Sequence, residues 1–179
     1  MTILAISGSL RAASTNTALV HAIAALAPDR VDVDIYDGLA DLPPFNPDLA
    51  DTDTPPAVAA FRRRLNAADA VLISSPEYAH GVPGVLKNAL DWLVGSGELV
   101  DKPIALVNAS PRATYAYASL AETLTVMSGR LIADASIVVP IPSGARADDL
   151  AADQDVSGRL RLVIQALADR CAEAGGRQP

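Results

Sequence analysis

The apolar run Ile3-Leu4-Ala5-Ile6 passes directly into Ser7–Asn16, SGSLRAASTN, and then into a helix-like stretch, Thr17–Leu26. A buried strand, a loop of Gly and hydroxyl residues and a helix form one βα unit. Its turn offers an anion the unpaired N–H groups and positive dipole end of a helix start. Gly8 is able to take positive φ and to bring the backbone close to an anion. Ser9, Ser14, Thr15 and Asn16 add side-chain donors, and Arg11 adds a guanidinium fork suited to phosphate oxygens. The plainer reading is an ordinary βα turn with Ser14 or Thr15 as N-cap. So many donors beside an arginine favour a phosphate cradle.

Neither common nucleotide fingerprint is present. A P-loop needs a Gly-Lys-Ser/Thr end, and this loop has no Lys. A dinucleotide loop needs three glycines, and Gly8 is the only one before Gly38. Asp34 and Asp37, near the end of the second strand pattern, then read as solvated charges. The single cysteine, Cys171, lies far away in the last helical stretch, which excludes a cysteine phosphatase built on this loop.

The same unit repeats along the chain. Strand patterns cover Thr2–Ser7, Val31–Tyr36, Ala70–Ser74, Ile104–Asn108 and Ser136–Val139. Helix patterns cover Thr17–Leu26, Pro56–Asn66, Val85–Leu93, Tyr117–Ser128 and Val156–Ala174. The first, third and fourth strands are near-continuous apolar runs, as in a sheet covered on both faces. The second alternates Val31-Asp32-Val33-Asp34-Ile35, as an edge strand does. Repeated βα units imply a parallel sheet with right-handed crossovers. The expected class is α/β, one domain over residues 1–179, with a doubly wound five-stranded parallel sheet in the order 2-1-3-4-5. Gly38–Pro56, rich in Pro, Asp and Asn, reads as a long surface loop too Pro-rich for helix or strand, free to border a pocket or a partner. Pro140–Ser157 reads as a second loop ending in an acidic stretch, and the tail after Gly175 is expected to fray.

Of the 179 residues, 50% are hydrophobic and 20% charged, a globular balance. The net charge of -7, without a basic cluster, argues against nucleic acid or an anionic membrane as partner. One cysteine excludes an internal disulfide framework and fits a reducing compartment. The N-terminus is strand-like and lacks a signal-peptide pattern, and no apolar run approaches the ~18 residues of a membrane span. The expected location is cytoplasmic.

In a doubly wound sheet, ligands bind outside the carboxyl ends of the strands, where strand order reverses. Ser7–Asn16, Ser75–Pro83 and Asn108–Tyr115 are therefore the loops that matter. The middle one, within SPEYAHGVPGVLKNALDW, is stiffened by Pro76 and Pro83 and shaped by Gly81 and Gly84. A planar ring fits against such a loop and takes hydrogen bonds from its N–H groups. Glu77 reads as a structural hydrogen-bonding group, its alternatives being a solvated acid or a helix cap. Tyr78 is either a ligand contact or a packing ring with a wet hydroxyl. His80 reads as an exposed loop residue. Lys87 and Asp91 form an (i, i+4) pair that supports the helix, and Trp92 belongs to the core or an interface. His21 and His80 are isolated, and no Ser-His-Asp, Cys-His or metal-ligand cluster is legible.

GSLRAASTNTAL from Gly8 and PEYAHGVPGVLKNALDW from Pro76 together resemble the NAD(P)H-dependent FMN reductase family, which includes quinone and chromate reductases and has a flavodoxin-like fold. The resemblance runs through nearly the whole element order. It implies FMN as cofactor and NADPH or NADH as hydride donor. It also implies a ping-pong transfer to a small-molecule electron acceptor such as a quinone, with no side-chain acid or base required. By matching position, Ser9, Arg11, Ser14 and Asn16, with Thr17, would hold the FMN phosphate. Pro76, Glu77, Tyr78 and Ala79 would hold the isoalloxazine, mainly through backbone atoms. Ser110 and Arg112, with Ala113 and Thr114, belong to the third loop that closes over the ring. The family commonly places its flavin near a subunit contact, which implies a homodimer or a dimer of dimers. The helix carrying Leu86, Leu90, Trp92 and Leu93 is the expected interface, because its apolar positions spread over more than one face.

The chain departs from the family in two places. Ala79 stands where Asn is usual, so a methyl replaces a side chain able to orient a substrate and broad acceptor choice is expected. If the backbone does the orienting, Ala79 changes nothing. The third loop, ASPRATYAYAS, contains no glycine, and Arg112 is a cation there able to meet a nicotinamide-nucleotide phosphate or a surface acid. The alternative reading is a flavodoxin-type electron carrier without its own hydride-donor site, which the acidic charge would suit. A nucleotide-binding domain using the first loop alone is a third.

Overall fold

A computed structural model of the chain describes residues 1–50 and 53–175. The expected fraying after Gly175 lies outside the described residues. Among these residues six strands, β1 (Thr2–Ser7), β2 (Asp32–Tyr36), β3 (Ala70–Ser74), β4 (Pro103–Asn108), β5 (Arg130–Leu131) and β6 (Ile137–Val138), form one parallel sheet. Its order is β2-β1-β3-β4-β5, with β6 also paired to β4. β3 and β4 are buried along their whole length, as their apolar runs require, and β2 is the edge.

The fifth strand position differs from expectation. It is not one strand over Ser136–Val139 but two short ones along β4. Pro103 faces Arg130, whereas Asn108 faces Val138, so the fifth position uses three more residues than β4 to cover the same length. A 3₁₀ turn, Ala133–Ala135, absorbs the surplus. Ser136 Oγ accepts the Leu106 N–H at 3.1 Å, standing in for a ladder carbonyl beside the interruption. Arg130-Leu131 is too short to stand out as a strand in the sequence.

Among the described residues seven α-helices flank the sheet: α1 (Thr15–Leu26), α2 (Pro47–Ala50), α3 (Pro56–Ala67), α4 (Gly84–Asp91), α5 (Thr114–Val126), α6 (Ala147–Ala152) and α7 (Gln154–Gly175). Two of them fall in segments expected to be loops. Within the Pro-rich stretch, Pro47 begins α2, where its missing N–H costs nothing, and Asn46 Oδ1 accepts from Asp48 N at 3.0 Å. In the second loop, Asp148 and Asp149 form the first turn of α6, where carboxylates favour the positive helix end.

The layers divide cleanly. On one face Leu4, Ile6, Val71 and Ile73 pack against Phe61, Leu65, Leu86, Leu90, Leu120 and Leu124 from α3, α4 and α5. On the other, Ile3, Ala5 and Leu72 meet Leu19, Ile23, Leu160, Val163 and Leu167 from α1 and α7. This alternation along β1 and β3 fixes the sheet's register against both layers and directs every strand's carboxyl end to the same edge. Among the described residues no helix is long and apolar enough to cross a membrane.

Asp34 is not a solvated charge. Arg64 Nε donates to Asp34 Oδ2 at 2.8 Å, Arg64 Nη2 bonds the other oxygen, and the guanidinium lies 5.1 Å over the Tyr36 ring. Asp37 remains exposed, 3.9 Å from Arg64. Lys87 and Asp91 pair as expected.

Candidate functional site

At the carboxyl edge the first loop turns into α1 with Ser14 as N-cap, its Oγ accepting from Thr17 N at 3.3 Å, so the helix begins two residues earlier than the pattern suggested. Four of the expected phosphate ligands already have partners inside the protein, Ser9 among them, its Oγ accepting from Arg11 N at 3.3 Å. Ser14 caps the helix. Thr17 Oγ1 shares a hydrogen bond with Ser7 Oγ at 2.8 Å. Buried Asn16 accepts from Ser74 Oγ at 2.9 Å through its Oδ1, tying α1 to β3. Ser9 is half-buried, and Arg11 is exposed with no ion pair among the described residues. The amides of Thr15 and Asn16 have no protein acceptor among the described residues, as expected for a first turn.

Gly8 serves a different purpose from the one expected. Its φ is not positive; positive-φ glycines among the described residues are Gly95, Gly97 and Gly144. What Gly8 supplies is room: a Cβ there would lie 2.7 Å from Ser75 Oγ and 3.0 Å from Leu86 Cδ2. The first and second loops touch at this point.

The second loop is a tight turn. Tyr78 and Gly81 exchange both backbone hydrogen bonds, at 3.1 and 2.9 Å, and Ala79 and His80 between them have φ of 48° and 60°. Two consecutive positive φ values define a type I′ turn, which favours Asn, Asp or Gly. Asn at the position of Ala79 is therefore a backbone preference of the turn, and this chain places an alanine there under strain. Tyr78, Ala79 and His80 are exposed at the tip, and none of them lines the cavity described below. Steering of acceptors by the side chain at position 79 is not supported by this placement. His80 stacks on Tyr115 of α5 with centroids 4.1 Å apart.

Glu77 links the second loop to the third. Its Oε2 accepts the Ala116 N–H at 2.8 Å. The N-cap position of α5 is Ala113, which has no side chain able to cap, so Glu77 fills that role from another loop. The glycine-free third loop takes its path from Asn108, a buried residue closing β4. Asn108 Oδ1 accepts from Ser110 N at 2.9 Å, and Asn108 Nδ2 donates to Ala113 O at 3.0 Å.

These loops enclose an open cavity of about 370 Å³ at the switch point between β1 and β3. Of the expected site residues, Asn16, Pro76, Glu77, Ser110 and Arg112 line it; Ser9, Arg11, Ser14, Thr17, Tyr78 and Ala79 do not. Thr15, read from the sequence as a donor of the cradle, and Ala113 of the third loop line it too, and Ser75, Asn108, Ala109, Ile141 and Ser143 complete the wall without having been named as site residues. Asn108 carried a signal, being a polar residue ending an apolar strand. Ser143 follows the fifth strand, whose neighbour β4 supplies the third loop. Val139 N donates to Asn108 O at 2.8 Å and Ile141 N to Ala109 O at 3.1 Å, which carries this segment up beside the cavity.

The lining chemistry fits FMN. Free amides at the start of α1 and the hydroxyls of Thr15 and Ser143 suit phosphate and ribityl oxygens, and stiff backbone at Pro76 suits a planar ring. The one carboxylate in the wall, Glu77, accepts from a helix amide instead of facing an anion unpaired.

The apolar side chains of the helix expected to meet a partner face this chain's own core. Leu86, Leu90, Trp92 and Leu93 are buried within this chain. Trp92 Nε1 donates to Pro43 O at 2.8 Å, and Phe45 packs edge-on to the indole at 5.1 Å. Asn88 bonds Pro43 O and Phe45 N, at 3.0 and 2.8 Å. The Pro-rich segment covers the face that seemed free for another subunit.

Sheet order, switch-point cavity and anion-ready helix start define a doubly wound α/β protein of the flavodoxin-like class. The family model described as NADPH-dependent FMN reductase matches residues 1–141, and the chain belongs to that family. An NAD(P)H-dependent FMN reductase of Pseudomonas aeruginosa is 40% identical over 110 residues, covering 60% of this chain and 59% of that protein. A quinone reductase of Escherichia coli K12 is 38% identical over 99 residues, covering 55% and 51%. These matched stretches span between half and three fifths of the relatives' own length. In structure, the chain is similar to the flavoenzyme NAD(P)H:(acceptor) oxidoreductase FerB of Paracoccus denitrificans, with a TM-score of 0.72 and 28% identity, covering 94% of this chain and 97% of that one.

Proposed function

We propose that this chain is an NAD(P)H-dependent oxidoreductase that holds FMN in the switch-point cavity and passes electrons by a ping-pong mechanism to quinones or similar small acceptors. FMN, when bound, supplies the hydride chemistry itself. The protein's part is to bind and orient. The Thr15 and Asn16 amides, with Ser9 and the Arg11 guanidinium nearby in the loop, receive the phosphate. Pro76 and the backbone of the second loop receive the ring. Glu77 and Asn108 hold the second and third loops in place around it. Electrons go to small acceptors because the cavity is open at the strand edge and admits small molecules from solvent. The single cysteine and the family's chemistry favour a cytoplasmic setting.

The observation that carries this reading is that two residues with unengaged helix amides, Thr15 and Asn16, line a cavity whose single acid, Glu77, accepts a helix amide through one oxygen. Titration with FMN and with riboflavin, followed by flavin fluorescence, tests it. FMN binds more tightly, and Arg11→Ala narrows the gap by about tenfold, as loss of a charge-assisted contact does. Equal affinity of the wild type for the two flavins contradicts the phosphate cradle.

With the apolar side chains of α4 turned into this chain's own core, self-association into a homodimer or dimer of dimers rests on the exposed rim, where Tyr78 and Tyr115 are 57% and 58% accessible. Light scattering at micromolar protein gives at least twice the mass of 18.5 kDa if that rim pairs.

A further inference from the structure

The turn of the second loop holds a conformation that its own residues do not favour. Ala79 and His80 occupy its central positions at φ 48° and 60°, where an L-residue crowds its Cβ against the backbone and Asn, Asp or Gly is usual. Both residues are exposed, so burial does not hold them there. Support comes from the first turn of α5. The His80 imidazole lies against the Tyr115 ring with centroids 4.1 Å apart and 17° between the planes. The next residue, Ala116, gives its N–H to Glu77 Oε2 at 2.8 Å. Adjacent residues of α5 thus grip the loop at two points, Glu77 just before the strained turn and His80 inside it. This loop is also part of the cavity wall. Pro76 and Glu77 line the cavity, and the Glu77 N–H has no protein acceptor among the described residues, which leaves it for a ligand.

We infer that Tyr115 is a positioning residue of the flavin site: stacked on His80, it holds the strained turn so that the backbone at Pro76 and Glu77 is in place for the isoalloxazine before binding. The inference rests on the proposed binding of FMN in the switch-point cavity and assigns part of that binding to a residue outside the cavity wall. Neither Tyr115 nor His80 lines the cavity, so the stack acts through the loop and not by touching the ring. A loop already held in its binding shape spares the ordering cost of association. The effect belongs to one end of the ligand. Losing the stack weakens the hold on the ring, which FMN and riboflavin share, and leaves the phosphate end at α1 unchanged.

Titration of the full chain with FMN and with riboflavin, followed by flavin fluorescence, tests this, with thermal unfolding of each variant alongside. Tyr115→Ala is expected to weaken both flavins by the same factor, about two- to tenfold, the scale of one aromatic pair. Tyr115→Phe keeps the stack and binds both as the wild type does. His80→Ala loses as much as Tyr115→Ala, and the double variant loses no more, because the two rings make one contact. Ala79→Asn relieves the turn and restores most of the affinity lost in Tyr115→Ala. The inference is overturned if Tyr115→Ala leaves both affinities unchanged or weakens FMN alone, or if Tyr115→Phe loses as much as Tyr115→Ala. It is equally overturned if the losses at positions 80 and 115 add, or if Ala79→Asn restores nothing. Should Tyr115→Ala fail to fold, His80→Ala, alone and with Ala79→Asn, decides by the same criteria. A wild type that binds neither flavin overturns the proposed function itself, whereas failure among the variants alone leaves that function standing.

Discussion

Glu77 and Ala116 meet across two loops: the carboxylate Oε2 of the first accepts the amide hydrogen of the second at 2.8 Å. An acid beside an anion site is ordinarily a liability. Here it completes the start of α5, whose own cap position is an alanine, and so joins the ring-side loop to the loop that carries Arg112. Glu77→Ala is expected to destabilise the protein by about 1 kcal/mol, the usual worth of an N-cap. For a chain of this size that lowers Tm by roughly 2–4 °C. Glu77→Gln keeps an acceptor oxygen and loses less. Thermal unfolding of the three proteins checks the order.

The strained turn gives an opposite expectation. Ala79, at φ 48°, bears the steric penalty of an L-residue in the left-handed region. Asn tolerates that region, so Ala79→Asn raises stability by about 1 kcal/mol. Because residue 79 does not line the cavity, ratios of kcat/KM among a quinone, a flavin and a metal oxyanion stay unchanged. A several-fold change in those ratios would restore the side chain to acceptor choice.

Gly8→Ala forces a Cβ to within 2.7 Å of Ser75 Oγ and 3.0 Å of Leu86 Cδ2. Relieving it separates the first two loops, at about 1–3 kcal/mol, the range for overpacking a tight site. Lower urea stability together with weaker FMN binding is the expected result.

Alkaline pH should find Tyr36. Burial pushes its phenol up from 10 to about 12, against the pull of the neighbouring Arg64 charge. The folded protein therefore holds this proton more tightly than the unfolded chain does. Its contribution is fully present below pH 10 and is lost as pH rises from 10 to about 12. Tyr36→Phe removes that component of the pH dependence, which urea midpoints across this range reveal.

Long-range order was legible because it is written in local pattern. The apolar runs of β1, β3 and β4 and the helices between them determine the sheet order through crossover handedness. Features that depend on one residue's partner elsewhere were not. Pro47 reads as a helix breaker until it is seen at a helix start capped by Asn46. Asp34 reads as solvated until α3 brings Arg64 to it. At the site, the sequence located the loops but not which groups remain free. Ser14, Asn16 and Thr17 look like ligands by type, yet their side chains stitch the loop to α1, β3 and β1. Ser143 lies beyond the motifs altogether and reaches the cavity only through the continuation of the split fifth strand.

On the proposed function, a nicotinamide nucleotide reduces FMN bound to this chain, a step that electron carriage alone does not require. Anaerobic mixing of the FMN-loaded protein with NADPH, followed at the visible flavin band, tests it most directly. Prompt bleaching, with colour restored by added quinone, is the predicted result. A flavin band that persists under excess NADPH while FMN remains bound would contradict it and assign the protein to electron carriage.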